Sequence, residues 1–317
     1  MSQTATKSPE IHRKPGVGSP VRIRALALAL ALTLALALNA AFAGEHPLES
    51  LWRASQSRDY RAPAAAELAR AETLFRRTLA GEHDAALAAE WATLGFQLDR
   101  LSENGRIFTV LRERPDQRWG RGFYAFATTP ADSPILQAPH ALSDRHTGLI
   151  ALRLFAAGRF AAGAWSTAPR RYRDDDETVN ADLAHQPESY FIVFSRAAVF
   201  SHPASAILQL HGFAAEKRRT GAGRAAGAIV SAGQREPTPA AEQTARCLGA
   251  VFTEPVLLYP VQVGELGGVT NQIGQTLRTL GSRAFVHLEL ARPLRERLRE
   301  DAATRRRFGD CLAGARP

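Results

Sequence analysis

Among 317 residues there are only two cysteines, Cys247 and Cys311. Neither has a second cysteine or a histidine close by to form a chelating pair, which argues against a cysteine-built metal site. No Gly-x-Ser-x-Gly elbow occurs, so a serine-triad hydrolase is discounted. The glycines at 264–268 lack dinucleotide or P-loop spacing, and nucleotide binding there is rejected. The net charge is +9, yet the arginines are scattered and not interleaved with aromatics, which speaks against nucleic acid as a partner. Four of those nine charges belong to the first 24 residues, where Lys7, Arg13, Lys14, Arg22 and Arg24 face only Glu10. The later run Arg292, Arg295, Arg297, Arg299, Arg305, Arg306 and Arg307 reads as a solvated helix face.

What is present begins with a leader. Residues 1–24 are polar, basic and without apolar periodicity, which predicts disorder. An Ala/Leu run over 25–38 follows, then Ala41-Phe42-Ala43, the small-x-small pattern of a cleaved export signal. Cleavage after Ala43 and a periplasmic or secreted location are expected. Uncleaved, the run would be a membrane anchor near the lower length limit. No cysteine follows it, so lipid attachment there is excluded. Export makes one disulfide between Cys247 and Cys311 the expectation, contributing about 3–4 kcal/mol by closing a long loop.

Segment 44–105 reads as a helical layer, with apolar residues at three- and four-residue spacing through Leu68, Ala71, Leu74, Phe75 and Leu79, then Leu87, Trp91, Leu94 and Leu98. Residues 106–317 read as an α/β domain. Runs at 107–111 and 123–127 are strand-like and predict a hairpin or neighbouring strands. Strand and helix then alternate from 135 to 298, with helices expected over 147–160 (capped by Thr147), 240–248 and 272–280. The fold class is α/β, a mostly parallel or mixed central sheet flanked by helices, hydrolase-like, with the helical layer packed on it.

Three strand ends carry the chemistry. The run 135–138 is broken by Pro139 and followed by His140, Asp144 and His146. A second run, 206–210, ends in His211-Gly212-Phe213, and a third, 284–290, holds Glu289 inside an apolar strand. Open α/β sheets place their sites at such carboxyl edges. Two histidines and one carboxylate with an open fourth position make a catalytic zinc set. Zinc lowers the pKa of bound water and polarises a carbonyl, and Glu289, close but unbound, would move the proton. His287 shares the face of Glu289 and is a candidate supporting partner. His185 and His202 read as structural.

These residues, Pro-His-x-x-x-Asp-x-x-Thr-Gly, then a strand ending His-Gly, then Phe-x-His-x-Glu, resemble the zinc carboxypeptidase-like superfamily. The small members, such as poly-γ-glutamate hydrolases and N-formylglutamate amidohydrolases, look nearest, and the resemblance spans 135–298. It implies His140, Asp144 and His211 as zinc ligands and Glu289 as the catalytic acid-base. The family pair is His-x-x-Glu, whereas here Asp stands four residues on, so His146 remains the rival second ligand. The resemblance also calls for a cation to hold a substrate carboxylate. Arg170 or Arg171 would serve, with Asn271 at the glycine-rich loop as a further contact. The expected function is an exported zinc-dependent hydrolase of amide or peptide bonds, acting on a small-molecule or peptide substrate that bears a carboxylate. The alternative is a non-catalytic periplasmic binding protein of the same fold.

Overall fold

The computed structural model describes residues 46–174 and 177–316. The basic leader, the Ala/Leu run and the expected cleavage site lie outside these residues, as do Asp175 and Asp176.

The described chain opens with three helices, α1 (Pro47–Ala54), α2 (Ala65–Leu79) and α3 (Ala85–Ala92). The periodic residues Leu68, Ala71, Leu74 and Phe75 are the buried stripe of α2, and Asp84 starts α3 by accepting the Leu87 N–H. The helical reading of 44–105 fails after α3. Gly95 takes φ +82°, and Phe96 opens β1 (Phe96–Glu103), which pairs antiparallel with β2 (Arg106–Glu113). The turn between them is Asn104-Gly105, with φ of +52° and +73°, two left-handed residues that match the twist of a hairpin. Leu94, Leu98 and Leu101 keep the helical spacing of four and three into β1, although Leu98 and Leu101 pack on opposite faces of the strand, so the strand reads as helix. The Asn-Gly pair is the signal that separates the two.

The main sheet has nine strands in the order β1-β2-β3-β5-β4-β8-β11-β9-β10. Its members beyond the hairpin are β3 (Phe123–Ala127), β4 (Ile135–Ala138), β5 (Ala162–Trp165), β8 (Ile207–Phe213), β9 (Ala228–Ser231), β10 (Val256–Leu258) and β11 (Phe285–Ala291). β5, β4, β8 and β11 run parallel to one another. β3 pairs antiparallel with both β2 and β5, and β9 pairs antiparallel with β11 and parallel with β10. The sheet is therefore mixed, with a parallel centre. A small hairpin, β6 (Arg171–Asp174) with β7 (Glu177–Asn180), stands apart from it.

Helices cover both faces. α4 (Thr147–Ala156), α7 (Pro239–Val251), α9 (Arg292–Glu300) and α10 (Ala302–Ala313) pack on the face that carries Leu136, Leu208, Leu210, Val286, Leu288 and Leu290. α2, α5 (Tyr190–Ser201) and α8 (Gln272–Thr279) pack on the face that carries Ile135, Ile207 and Phe285. Along that second face the central strands change character. β8 reads Ile207, Gln209, His211 and β11 reads Phe285, His287, Glu289, aligned residue for residue. The apolar end anchors the strands in the core, and the carboxyl end presents polar groups, all buried or nearly so. Cys247 on α7 and Cys311 on α10 form the disulfide.

Candidate metal centre

His140 follows β4 in a tight turn. Its carbonyl accepts the Asp144 N–H at 2.8 Å, and the Asp144 carbonyl accepts the Thr147 hydroxyl at 2.7 Å. Thr147 thus ties the turn together as the first residue of α4, while His146 stands at the N-cap with φ +74°. The turn aims His140 and Asp144 at His211, which ends β8. The His140 and His211 Nδ1 atoms lie 3.1 Å apart. Asp144 Oδ2 lies 3.4 Å from the first and 3.5 Å from the second. His146 is not part of this triangle: its Nε2 meets the Arg145 guanidinium at 3.2 Å.

The arrangement fits a metal. Zinc–ligand bonds of 2.0–2.1 Å in a tetrahedron place donors about 3.3 Å apart, close to the three separations observed. The far side of each ring faces an acceptor. His140 Nε2 lies 2.8 Å from Asp182 Oδ1, and His211 Nε2 lies 3.2 Å from Gln209 Oε1. Each Nε2 therefore carries the proton, and each Nδ1 offers its lone pair to the centre of the triangle. Burial pulls His211 below its ordinary pKa. Burial pulls on His140 too, but its hydrogen bonds to Asp144 and Asp182 outweigh it and raise the group. Burial also pushes Asp144 up, and the two histidines more than reverse it, holding the carboxyl far below the carboxylate range.

Asp182, which the sequence reading leaves without a role, is the orienting carboxylate. It is 2% exposed, and besides His140 it accepts from Arg170 Nε at 2.6 Å and lies 3.0 Å from His185 Nδ1. His185, expected to be structural, lines the cleft with its Nε2 3.3 Å from Thr270 Oγ1. The spacing Asp182-x-x-His185 is the only trace of this in the sequence.

Glu289 stands opposite His211 in the strand register. Among the described residues it accepts no hydrogen bond; His287 Nε2 lies 3.9 Å from its Oε1. Burial, reinforced by the charge of Asp144, pushes its carboxyl up to about 8. A cation held by Asp144 would cancel the second cause. The His287 ring lies 4.5 Å from the His211 ring, and its Nδ1 has no partner among the described residues. Gly268 presses on that ring: a Cβ there would lie 2.9–3.0 Å from ring atoms, and φ is +59°. No other residue fits.

These groups line a cleft of about 210 Å3, with Leu266, Gly268 and Thr270 of the glycine-rich loop as its opposite wall. Of the residues expected to bind substrate, Arg170 reaches the cleft while paired to Asp182. Arg171 sits on β6, exposed and outside the cleft lining. Asn271 borders the cleft, but its side chain caps α8 by accepting the N–H groups of Ile273 and Gly274 and donates to Gln209.

No family model matches the chain, and no curated protein matches it. Among solved structures, an N-formylglutamate amidohydrolase from Ralstonia eutropha JMP134 shares 13% identity at a TM-score of 0.42, over 61% of this chain and 96% of that one. A candidate metallopeptidase from Shewanella amazonensis SB2B shares 12% at 0.33, over 75% and 92%. A metallo-carboxypeptidase from Burkholderia cenocepacia shares 10% at 0.33, over 73% and 67%. Likeness this distant assigns no function, which rests on the residues of the site.

Proposed function

We propose that the protein is a zinc-dependent hydrolase of amide or peptide bonds. The observation that supports it most is a largely buried carboxylate, Glu289, that accepts no hydrogen bond among the described residues and faces the cleft beside three converging donors. Two imidazole nitrogens and one carboxylate oxygen suit zinc over magnesium or calcium, which take oxygen ligands. When bound, zinc supplies Lewis acidity, acidifying water and polarising a carbonyl. His140, Asp144 and His211 would hold it, and Asp182 and Gln209 keep the two rings in the binding tautomer. Glu289, in its carboxylate form, would take a proton from the attacking water and return it to the leaving amine. The Arg170 guanidinium, anchored through Nε, leaves its Nη groups for a substrate carboxylate. Export to an oxidising compartment, through the segment ending at Ala43, is part of this reading and agrees with the Cys247–Cys311 disulfide.

The test pairs two variants on a panel of N-acyl- and γ-glutamyl amides and cell-wall peptides. His140→Ala loses both zinc and turnover. Glu289→Gln keeps zinc and loses turnover by about 100- to 10,000-fold, the range for a positioned acid-base. Wild-type turnover in Glu289→Gln would remove the mechanism.

A further inference from the structure

The Gln209 amide can lie either way round, and its orientation sets which nitrogen of His211 carries the proton. Asn271 decides it. Its Oδ1 receives the backbone N–H groups of Ile273 and Gly274 at 3.0 and 3.1 Å, and backbone donors cannot invert. The Asn271 Nδ2 must therefore point at Gln209, and Gln209 must present Oε1 to it, at 2.8 Å. The same oxygen is the one facing His211 Nε2.

The far end agrees in direction. Gln209 Nε2 donates to Gln137 Oε1 at 2.8 Å, Gln137 Nε2 donates to Ser195 Oγ at 2.8 Å, and the Ser195 hydroxyl donates to the Phe191 carbonyl at 2.7 Å. Gln137, Gln209 and Ser195 are fully buried and Asn271 is 2% exposed, so the order is fixed by these partners and not by bulk solvent. Every donor meets one acceptor, and reversing one amide sets two like groups face to face elsewhere, at the cost of unpaired buried polar atoms.

We infer that Asn271 and Gln209 are positioning residues: the capped start of α8 imposes, through the Gln209 amide, the Nε2–H tautomer on His211 and so keeps its Nδ1 free to bind metal. This rests on the metal reading of the same site. It also gives Asn271 a task other than the substrate contact expected from the sequence.

Asn271→Asp tests it. The substituted side chain remains a good helix cap but turns an acceptor towards Gln209, which inverts the amide chain and drives the proton of His211 to Nδ1. Zinc affinity of the metal-stripped protein, measured by chelator competition, should fall about 10- to 100-fold, the usual loss when a ligand's supporting partner goes. The melting temperature of the metal-free protein should stay near wild type. The added negative charge alone would tighten zinc binding, so the sign separates the relay from simple electrostatics. Asn271→Ser keeps a cap and removes the donor without adding an acceptor, and should give a smaller loss. Imidazole 15N correlation spectra of the metal-free proteins should show Nε2–H for His211 in wild type and Nδ1–H in Asn271→Asp. Unchanged or tighter zinc binding in Asn271→Asp, or an Nδ1–H tautomer in wild type, overturns the inference. A wild type with the Nε2–H tautomer that takes up no zinc overturns the metal reading and leaves the relay standing.

Discussion

Glu113 is a buried carboxylate and Glu289 a largely buried one, and their partners separate them. Glu113 accepts the backbone N–H groups of Trp119 and Arg121 and holds the turn before β3, whereas Glu289 accepts nothing among the described residues. For Glu113, burial outweighs those hydrogen bonds and lifts the carboxyl from 4.5 to about 7. An acid with a raised folded-state pKa holds its proton in the folded protein after the unfolded chain has lost it. This group's contribution to stability is therefore full below about pH 4.5, falls as pH rises to about 7, and is flat above. Urea unfolding near pH 5 and pH 7.5 should show wild type losing up to about 3 kcal/mol more than Glu113→Gln across that interval. Equal slopes would show that Glu113 titrates normally. At this scale His140 and His211 stand out in the sequence as histidines at strand ends, and the fold brings their Nδ1 atoms 3.1 Å apart. Asp182 is not readable, because an acid in a loop is ordinarily a solvated one and only the fold brings it to within 2.8 Å of a histidine 42 residues earlier.

Among the elements, α9 shows a case where the pattern misleads. Its arginines read as a solvated face, yet Arg295 is 5% exposed. Its Nη1 donates to the Arg145 carbonyl at 2.6 Å and its Nη2 to the Phe213 carbonyl at 3.1 Å. Those carbonyls belong to the residue after Asp144 and to the strand end after His211, so one guanidinium clamps the two ligand-bearing segments together. Gly212 makes room for it, since a Cβ there would sit 2.6 Å from the guanidinium carbon. Arg295→Met should cost about 1–3 kcal/mol by removing both hydrogen bonds, the one to the Phe213 carbonyl being buried. Thermal or urea unfolding reads this directly. Arg295→Lys should recover little, because an ammonium lacks the planar fork that spans both acceptors. Full stability in Arg295→Met would show the clamp to be incidental. The spacing Leu294, Arg295, Leu298 puts Arg295 beside the apolar stripe, but nothing in the sequence says that two carbonyls wait there.

Taken whole, the molecule divides its two tasks between the two faces of one sheet. One face is apolar along its length and is held by α4, α7, α9 and α10, two of them joined by the disulfide. The other grades from Ile207 and Phe285 through Gln209 and His287 to His211 and Glu289. Cys311→Ser should therefore lower stability by about 3–4 kcal/mol, the usual effect of opening a loop of this length, while zinc affinity stays within about twofold. A proportionate loss of zinc would mean that the two faces are coupled. The α/β class, the parallel centre and the late strand bearing Glu289 are legible because they follow from periodicity and turn residues. The edge hairpin at Asn104-Gly105 and the polar row of Gln137 and Gln209 are less so. An amide inside an apolar strand looks like an exception until the neighbouring strands supply its partners.

The claim on which the account depends is that His140, Asp144 and His211 close around one cation. Calorimetric titration of the metal-stripped protein with zinc addresses it most directly. The account predicts one tight site per chain in wild type and in Glu289→Gln, and none in His140→Ala or His211→Ala. Absence of binding in wild type, or binding that survives both histidine substitutions, would contradict it.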